Sequence, residues 1–119
     1  MLTVDPEEIL PLTPAVFHIL LVLVDHELHG YGIMRQVEEQ TNGRIRLGPG
    51  TLYSSIQALL EEGLIEEVDR SSESTGGTER RRYYRLTSSG RKLARFEAER
   101  LADLLRVARV KKILRGEYV

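Results

Sequence analysis

The segment Arg80-Arg81-Arg82-Tyr83-Tyr84-Arg85-Leu86 sets four guanidinium groups within six residues and interleaves them with two tyrosines. Guanidinium forks match phosphate oxygens, and phenols add a hydroxyl donor on a flat ring. The chemistry suits a polyanion. Read as a strand, the segment puts Arg80 and Arg82 on one side and Arg81 and Arg85 on the other. Only one set can grip a given stretch of backbone, and Tyr83 and Tyr84 split in the same way between core and outside. A charged edge strand that deters aggregation is the plainer account of the same residues.

A second group of candidates lies upstream, in Gly50-Thr51-Leu52-Tyr53-Ser54-Ser55-Ile56-Gln57-Ala58-Leu59-Leu60. Leu52, Ile56, Leu59 and Leu60 recur at i, i+4, i+7 and i+8, the stripe of a half-buried helix. Gly50, Thr51, Ser54, Gln57, Ala58 and Glu61 fall on its opposite face. Thr51, Ser54, Ser55 and Gln57 are short or neutral hydrogen-bonding residues. A glutamine amide can address adenine, and hydroxyls can address bases or phosphate. An ordinary solvent-facing helix surface has the same composition. Tyr53 sits on the flank of the stripe, where phosphate contact and half-buried packing are both open to it.

Charge distribution supports the polyanion reading although the chain total does not. The 119 residues carry a formal net charge of −1. Residues 1–75 hold four Lys+Arg against 13 Asp+Glu, a balance of −9, and residues 76–119 hold 13 against five, a balance of +8. Local potential, not the total, attracts nucleic acid. A well-solvated basic C-terminal helix accounts for part of the excess, but not for the arginines at 80–85.

Other chemistries find little support. The chain has no cysteine, so disulfides, thiolate catalysis and Cys-based zinc sites are excluded. His26 and His29 are spaced i, i+3, but Gly30 follows directly and no third ligand is in sight, which is too few for zinc. His18 reads as a core or interface histidine. No nucleophile elbow, phosphate loop or metalloprotease motif occurs, and Gly48-Pro49-Gly50 is not followed by lysine. The expectation is therefore no catalytic residue, no metal and no cofactor. The N-terminus lacks the basic region of a signal peptide, and the longest apolar run, Ile19 to Val24, is far shorter than a bilayer span. A cytoplasmic protein without a membrane partner is expected.

The elements that would position these groups follow from pattern and punctuation. Thr13-Pro14 starts a first helix that is expected to run to about Glu27. Val16, Phe17, Ile19, Leu20, Leu21, Val22, Leu23 and Val24 leave it almost no polar side, which implies burial all round. A second helix is expected over about Tyr31 to Gln40, closed by Thr41-Asn42-Gly43, and a short strand over Arg44 to Leu47. The third helix opens at Gly48-Pro49-Gly50 and stops at Gly63. Leu64 to Val68 and Arg80 to Leu86 read as the two strands of a hairpin, joined by a tip, residues 69–79, without one apolar residue. Thr87-Ser88-Ser89-Gly90 opens a last helix expected to reach Leu114. Its stripe of Ala98, Leu101, Leu105 and Ala108, widened by Leu93, Phe96, Leu104 and Val107, projects beyond so small a domain and calls for a partner helix.

This order makes a mostly α chain with a small β-hairpin, a winged helix-turn-helix plus a C-terminal dimerisation helix. Residues 1–88 form the winged domain and residues 89–119 the dimerisation helix. The third helix would enter the major groove and the hairpin would flank it. A winged helix serving only as a protein–protein adaptor is the alternative.

Four blocks in order, Leu28-His29-Gly30-Tyr31-Gly32, Gly50-Thr51-Leu52-Tyr53, Leu60-Glu61-Glu62-Gly63-Leu64-Ile65 and Arg82-Tyr83-Tyr84-Arg85-Leu86-Thr87-Ser88-Ser89-Gly90, resemble the PadR family of bacterial transcriptional regulators. The resemblance covers about residues 12–110 and is closest to the subfamily with one C-terminal helix. It implies a homodimer that binds an inverted-repeat operator in double-stranded DNA, usually represses, and in many members is released by a small-molecule effector. Tyr31, Gly50, Thr51, Tyr53 and Ser54 match the helix-turn-helix contact region, and Arg80 to Arg82 the wing. With Ser55, Gln57 and Tyr84 these make up the expected DNA-contacting set. Phe17, Leu20, Leu21, Val24, Phe96, Leu101, Leu104, Leu105 and Ala108 make up the expected dimer interface. The chain departs from the family in carrying Ser54 where many members have proline, and Gly77-Thr78-Glu79 at the wing tip. It has no tryptophan, so ligand stacking between tryptophans does not operate here.

Overall fold

The computed structural model describes residues 10–68 and 82–115. Four helices and three short strands follow in the order α1 (Pro14–Val22), β1 (Leu28–His29), α2 (Gly30–Gln40), α3 (Pro49–Glu61), β2 (Ile65–Val68), β3 (Tyr83–Leu86) and α4 (Ser88–Val110). The strands form one antiparallel sheet in the order β1-β3-β2. Arg80, Arg81 and the expected hairpin tip lie outside the described residues.

Local chemistry sets most of the boundaries. The Thr13 hydroxyl accepts the Val16 N–H at 3.3 Å, and Pro14 occupies the first turn of α1. α1 stops at Val22, five residues before the expected Glu27. The chain must leave the helix there because Leu28 and His29 pair with Tyr84 and Tyr83. This two-residue strand was not expected. His29 also caps α2, its Nδ1 accepting the Gly32 N–H at 2.9 Å.

Residues Arg44 to Leu47 are not a strand. The Thr41 hydroxyl donates to the Val37 carbonyl at 2.9 Å and accepts the Ile45 N–H at 3.1 Å. Asn42 and Gly43 take φ of 54° and 78°, turning the chain through left-handed backbone. With its amide satisfied locally, the segment runs as a loop that drives Leu47 into the core. Leu52, Ile56 and Leu59 bury the inner stripe of α3, and Gly63, at φ 74°, ends it as expected.

The start of α4 docks directly on the end of α3. Thr87 N–H donates to the Leu64 carbonyl at 3.1 Å. Its hydroxyl donates to the Gly63 carbonyl at 2.7 Å and accepts the Gly90 N–H at 3.0 Å. A Cβ at Gly90 would stand 2.0 Å from the Leu64 carbonyl oxygen, so no other residue fits. The first turns of α4 then bury Leu93, Ala94 and Glu97. α4 ends at Val110, short of the expected Leu114. Lys112 reverses the backbone at φ 63°, and the Ile113 and Leu114 amides both return to the Ala108 carbonyl.

Glu97 is the one buried charged side chain among the described residues, 2% exposed. It accepts the Leu12 N–H at 3.1 Å and two Arg100 guanidinium N–H groups at 2.6 and 3.0 Å, tying the segment before α1 to α4. The Arg100 hydrogen bond, helped by the Leu12 amide and against the opposing effect of burial, holds the Glu97 carboxyl below its ordinary range.

Gly90→Ala is expected to cost about 1–3 kcal/mol through overpacking, read as a lower urea midpoint at unchanged slope. Glu97→Gln is expected to lower stability near neutral pH by about 1 kcal/mol, a modest figure because Arg100 is partly exposed. A carboxyl with a depressed folded pKa stabilises above its unfolded pKa and loses that contribution as pH falls through the folded value. The gap between the wild type and Glu97→Gln should therefore close on acidification below about pH 4 in parallel thermal melts.

Candidate nucleic-acid interface

α3 turns its polar face outward. Gly50, Thr51, Tyr53, Ser54 and Gln57 are exposed and Ser55 is half-buried. The helix starts at Gly48 without a side-chain cap and has no acidic residue in its first turn. Its N-terminal amides therefore keep their positive potential. The Ser54 hydroxyl donates back to the Thr51 carbonyl at 3.2 Å, which points its oxygen lone pairs outward. The Gln57 amide donates to the Glu61 carboxylate at 3.1 Å, one turn further along the same face.

Beside α3 lies a cluster of rings. His29 stands edge-on to Tyr83 at 5.2 Å between centroids and roughly parallel to Tyr31 at 6.4 Å. The Arg35 guanidinium lies 6.0 Å from the centre of the Tyr31 ring, within cation–π reach. Tyr31 is 58% exposed and Tyr53 is 53% exposed, so both phenols reach the surface.

In the wing the structure separates residues that the sequence grouped. Tyr84, expected among the DNA contacts, is 4% exposed. The register sets it opposite Leu28 and Glu67 on the inward face of β3, so it is a core residue. Burial first, then Glu67 and Tyr53, push its hydroxyl pKa up against the pull of Arg82. Arg82 is exposed, with its Nε 3.4 Å from a Glu67 oxygen. Arg85 is strapped by Glu66 at 2.7 Å and Glu27 at 3.6 Å, which join β3 to β2 and to the turn after α1. The Glu66 hydrogen bond is the main reason its guanidinium pKa is raised. Arg46 was passed over by the sequence reading. It is exposed in the loop entering α3, 3.6 Å from Glu38. The alternation of Arg44-Ile45-Arg46-Leu47 was the available signal, since it turned both arginines outward whatever the local structure.

The residues expected at a dimer interface divide in the same way. Leu20 is fully buried within the single chain, among the core residues, and is not available to a partner. Phe17, Leu21, Val24, Phe96, Leu101 and Ala108 are half-buried. Leu104 and Leu105 are 53% and 43% exposed. Val110 and Ile113 extend the apolar surface to the end of the chain's described part, at 80% and 79% exposed. Among the described residues there is no cluster of three or more metal-ligating side chains, and no helix is long and apolar enough to cross a membrane.

This arrangement matches the Transcriptional regulator PadR-like family over residues 19–96. The chain belongs to that family. A PadR family transcription regulator from Clostridium difficile is similar in structure at a TM-score of 0.71 and 26% identity, covering 82% of this chain and 96% of that one. A transcriptional regulator of Mycobacterium tuberculosis is 32% identical over 89 residues, 75% of this chain and 77% of its own length. Two other curated relatives are matched over 22% and 64% of their lengths, so the chain spans only part of each. Bacillus subtilis PadR, solved in complex with operator DNA, shares the fold at a TM-score of 0.57 and 21% identity, covering 87% of this chain and 50% of that one. The PadR-like match spans the whole of α2, α3 and the sheet, including the exposed phenols and the hydroxyls of α3, and it includes Arg82 just before β3.

Proposed function

We propose that this PadR-like regulator is a homodimeric, cytoplasmic repressor that lays α3 into the major groove of an inverted-repeat operator. The reading rests above all on the surface of α3. Gly50, Thr51, Tyr53, Ser54 and Gln57 are exposed, none of the first turn is acidic, and a Cβ at Gly48 or Gly50 would meet nothing within 4 Å beyond its chain neighbours and its own helix. Glycine is an ordinary cap at Gly48, but nothing inside the molecule calls for it at Gly50, where it weakens the helix. A close neighbour from outside, such as a sugar–phosphate backbone, accounts for Gly50. The solved complex of Bacillus subtilis PadR with operator DNA gives the shared fold a precedent for this use.

Thr51, Ser54, Ser55 and Gln57 are the base-reading candidates, with Tyr31 and Tyr53 as phosphate contacts. Arg82 supplies charge from the wing, and Arg80 and Arg81 belong to the same proposal by sequence. Arg85 does not, because Glu66 and Glu27 already hold it. The second subunit would cover the exposed stripe of α4 and the half-buried Phe17, Leu21 and Val24 of α1. Residues 89–119 are proposed as the dimerisation element of the winged domain 1–88. Two recognition helices would then meet successive major grooves about 10 bp apart.

Binding to an operator selected from random duplexes should fall with salt at a log–log slope of roughly −4 to −5 if each subunit engages two or three arginines. Arg80→Ala with Arg82→Ala should weaken binding to all duplexes and flatten that slope, Arg85→Ala should change it far less, and Gln57→Ala should shift preference among operators. An unchanged slope in the double variant would remove the wing from the mechanism. Leu105→Glu should convert a dimer to a monomer in sedimentation equilibrium and abolish operator binding together with it. A wild-type chain that sediments as a monomer would overturn the dimeric reading.

A further inference from the structure

Gly30, the first residue of α2, is buried, and its backbone is not in the left-handed region. Conformation therefore does not demand glycine at this position, and helix propensity favours alanine. Space does demand it. A Cβ built on Gly30 would lie 2.6 Å from the Tyr53 hydroxyl oxygen, 3.0 Å from its Cζ and 3.1 Å from its Cε1. The end of the Tyr53 phenol thus rests where any other side chain would stand.

The core does not require this seat. Tyr53 is 53% exposed and is not among the residues that build the interior. Its neighbours on α3, Thr51 and Ser54, are exposed as well. Beside the seat, Tyr31 follows Gly30 directly and is 58% exposed. The Tyr53 phenol also lies near enough to Tyr84 to influence its titration, so the seat stands at the meeting of α2, α3 and the inner side of the wing.

We propose that Gly30 is a positioning residue for DNA binding, which by lacking a side chain seats the Tyr53 phenol so that its hydroxyl donates to a backbone phosphate. The inference rests on the DNA-binding reading above. The three atoms that alanine at position 30 would meet most closely all belong to the far end of an exposed side chain, so it displaces that side chain and leaves the core intact. The fold should tolerate it while the contact is lost.

The test uses the full chain with Gly30→Ala, Tyr53→Phe and both together, titrated against a fluorescently labelled duplex of mixed sequence at low salt. Gly30→Ala should melt no lower than the wild type. Each single variant should bind about tenfold more weakly per dimer, the size of one lost hydrogen bond in each subunit. The double variant should bind no worse than Tyr53→Phe, because the hydroxyl on which Gly30 acts is already gone. The salt slope should stay constant, since no charge is removed. Wild-type affinity in Gly30→Ala would overturn the proposal. So would a double variant in which the two losses multiply, because a general disturbance of α2 would persist without the hydroxyl. A wild-type chain that ignores the duplex would instead sink the DNA-binding reading, and this inference with it.

Discussion

Two backbones meet at the junction of α3 and α4, and the rest of the molecule is arranged around that meeting. Thr87 and Gly90 touch the carbonyls of Gly63 and Leu64 directly, with a hydroxyl serving as both donor and acceptor in the gap. Side chains can shift by fractions of an ångström and rotamers can change. A carbonyl facing a bare Cα has no such freedom. This contact fixes where the long helix leaves the body, and hence where its exposed stripe stands relative to the polar face of α3. The joint that sets this relation contains little more than glycine, threonine and main chain.

The electrostatics of the surface follow a second rule. Among the described residues, several exposed arginines are already matched by carboxylates. Glu66 and Glu27 hold Arg85, Glu67 lies by Arg82, Glu38 by Arg46 and Glu39 by Arg35. Exposed pairs of this kind add little to stability. Their larger effect is on local potential, because a matched arginine presents less positive field to an approaching anion. Arg82 differs from Arg85 in having one carboxylate beside it, at 3.4 Å, rather than two.

Much of this was legible in the sequence, for identifiable reasons. α2 and α3 have strong amphipathic periodicity and clear stops at Asn42-Gly43 and Gly63, so their extents were within a residue or so of those observed. The inward and outward split of Tyr83 and Tyr84 followed from strand alternation, but alternation alone could not say which ring went in. That needed the register with Leu28, and Tyr84 was assigned to the surface wrongly. α1 was drawn too long because a continuous apolar run carries no signal for the turn that frees Leu28 and His29. The strand expected at Arg44 to Leu47 failed because the Thr41 hydroxyl satisfied its amide from within the same turn. Leu20 was given to a partner because a helix apolar on all sides does not reveal how much of it one chain can cover. The seat that Gly30 offers Tyr53 left no trace in local pattern, since it joins residues on different helices.

His29 carries three duties that meet nowhere else. Its main chain pairs with Tyr83, more than fifty residues further along, its imidazole nitrogen ends the amide row of α2, and its ring packs between two phenols. Closing a contact between such distant parts of a chain costs loop entropy that local contacts do not. The strand pairing of His29 carries that cost, while its cap on α2 reaches only to Gly32 and is local.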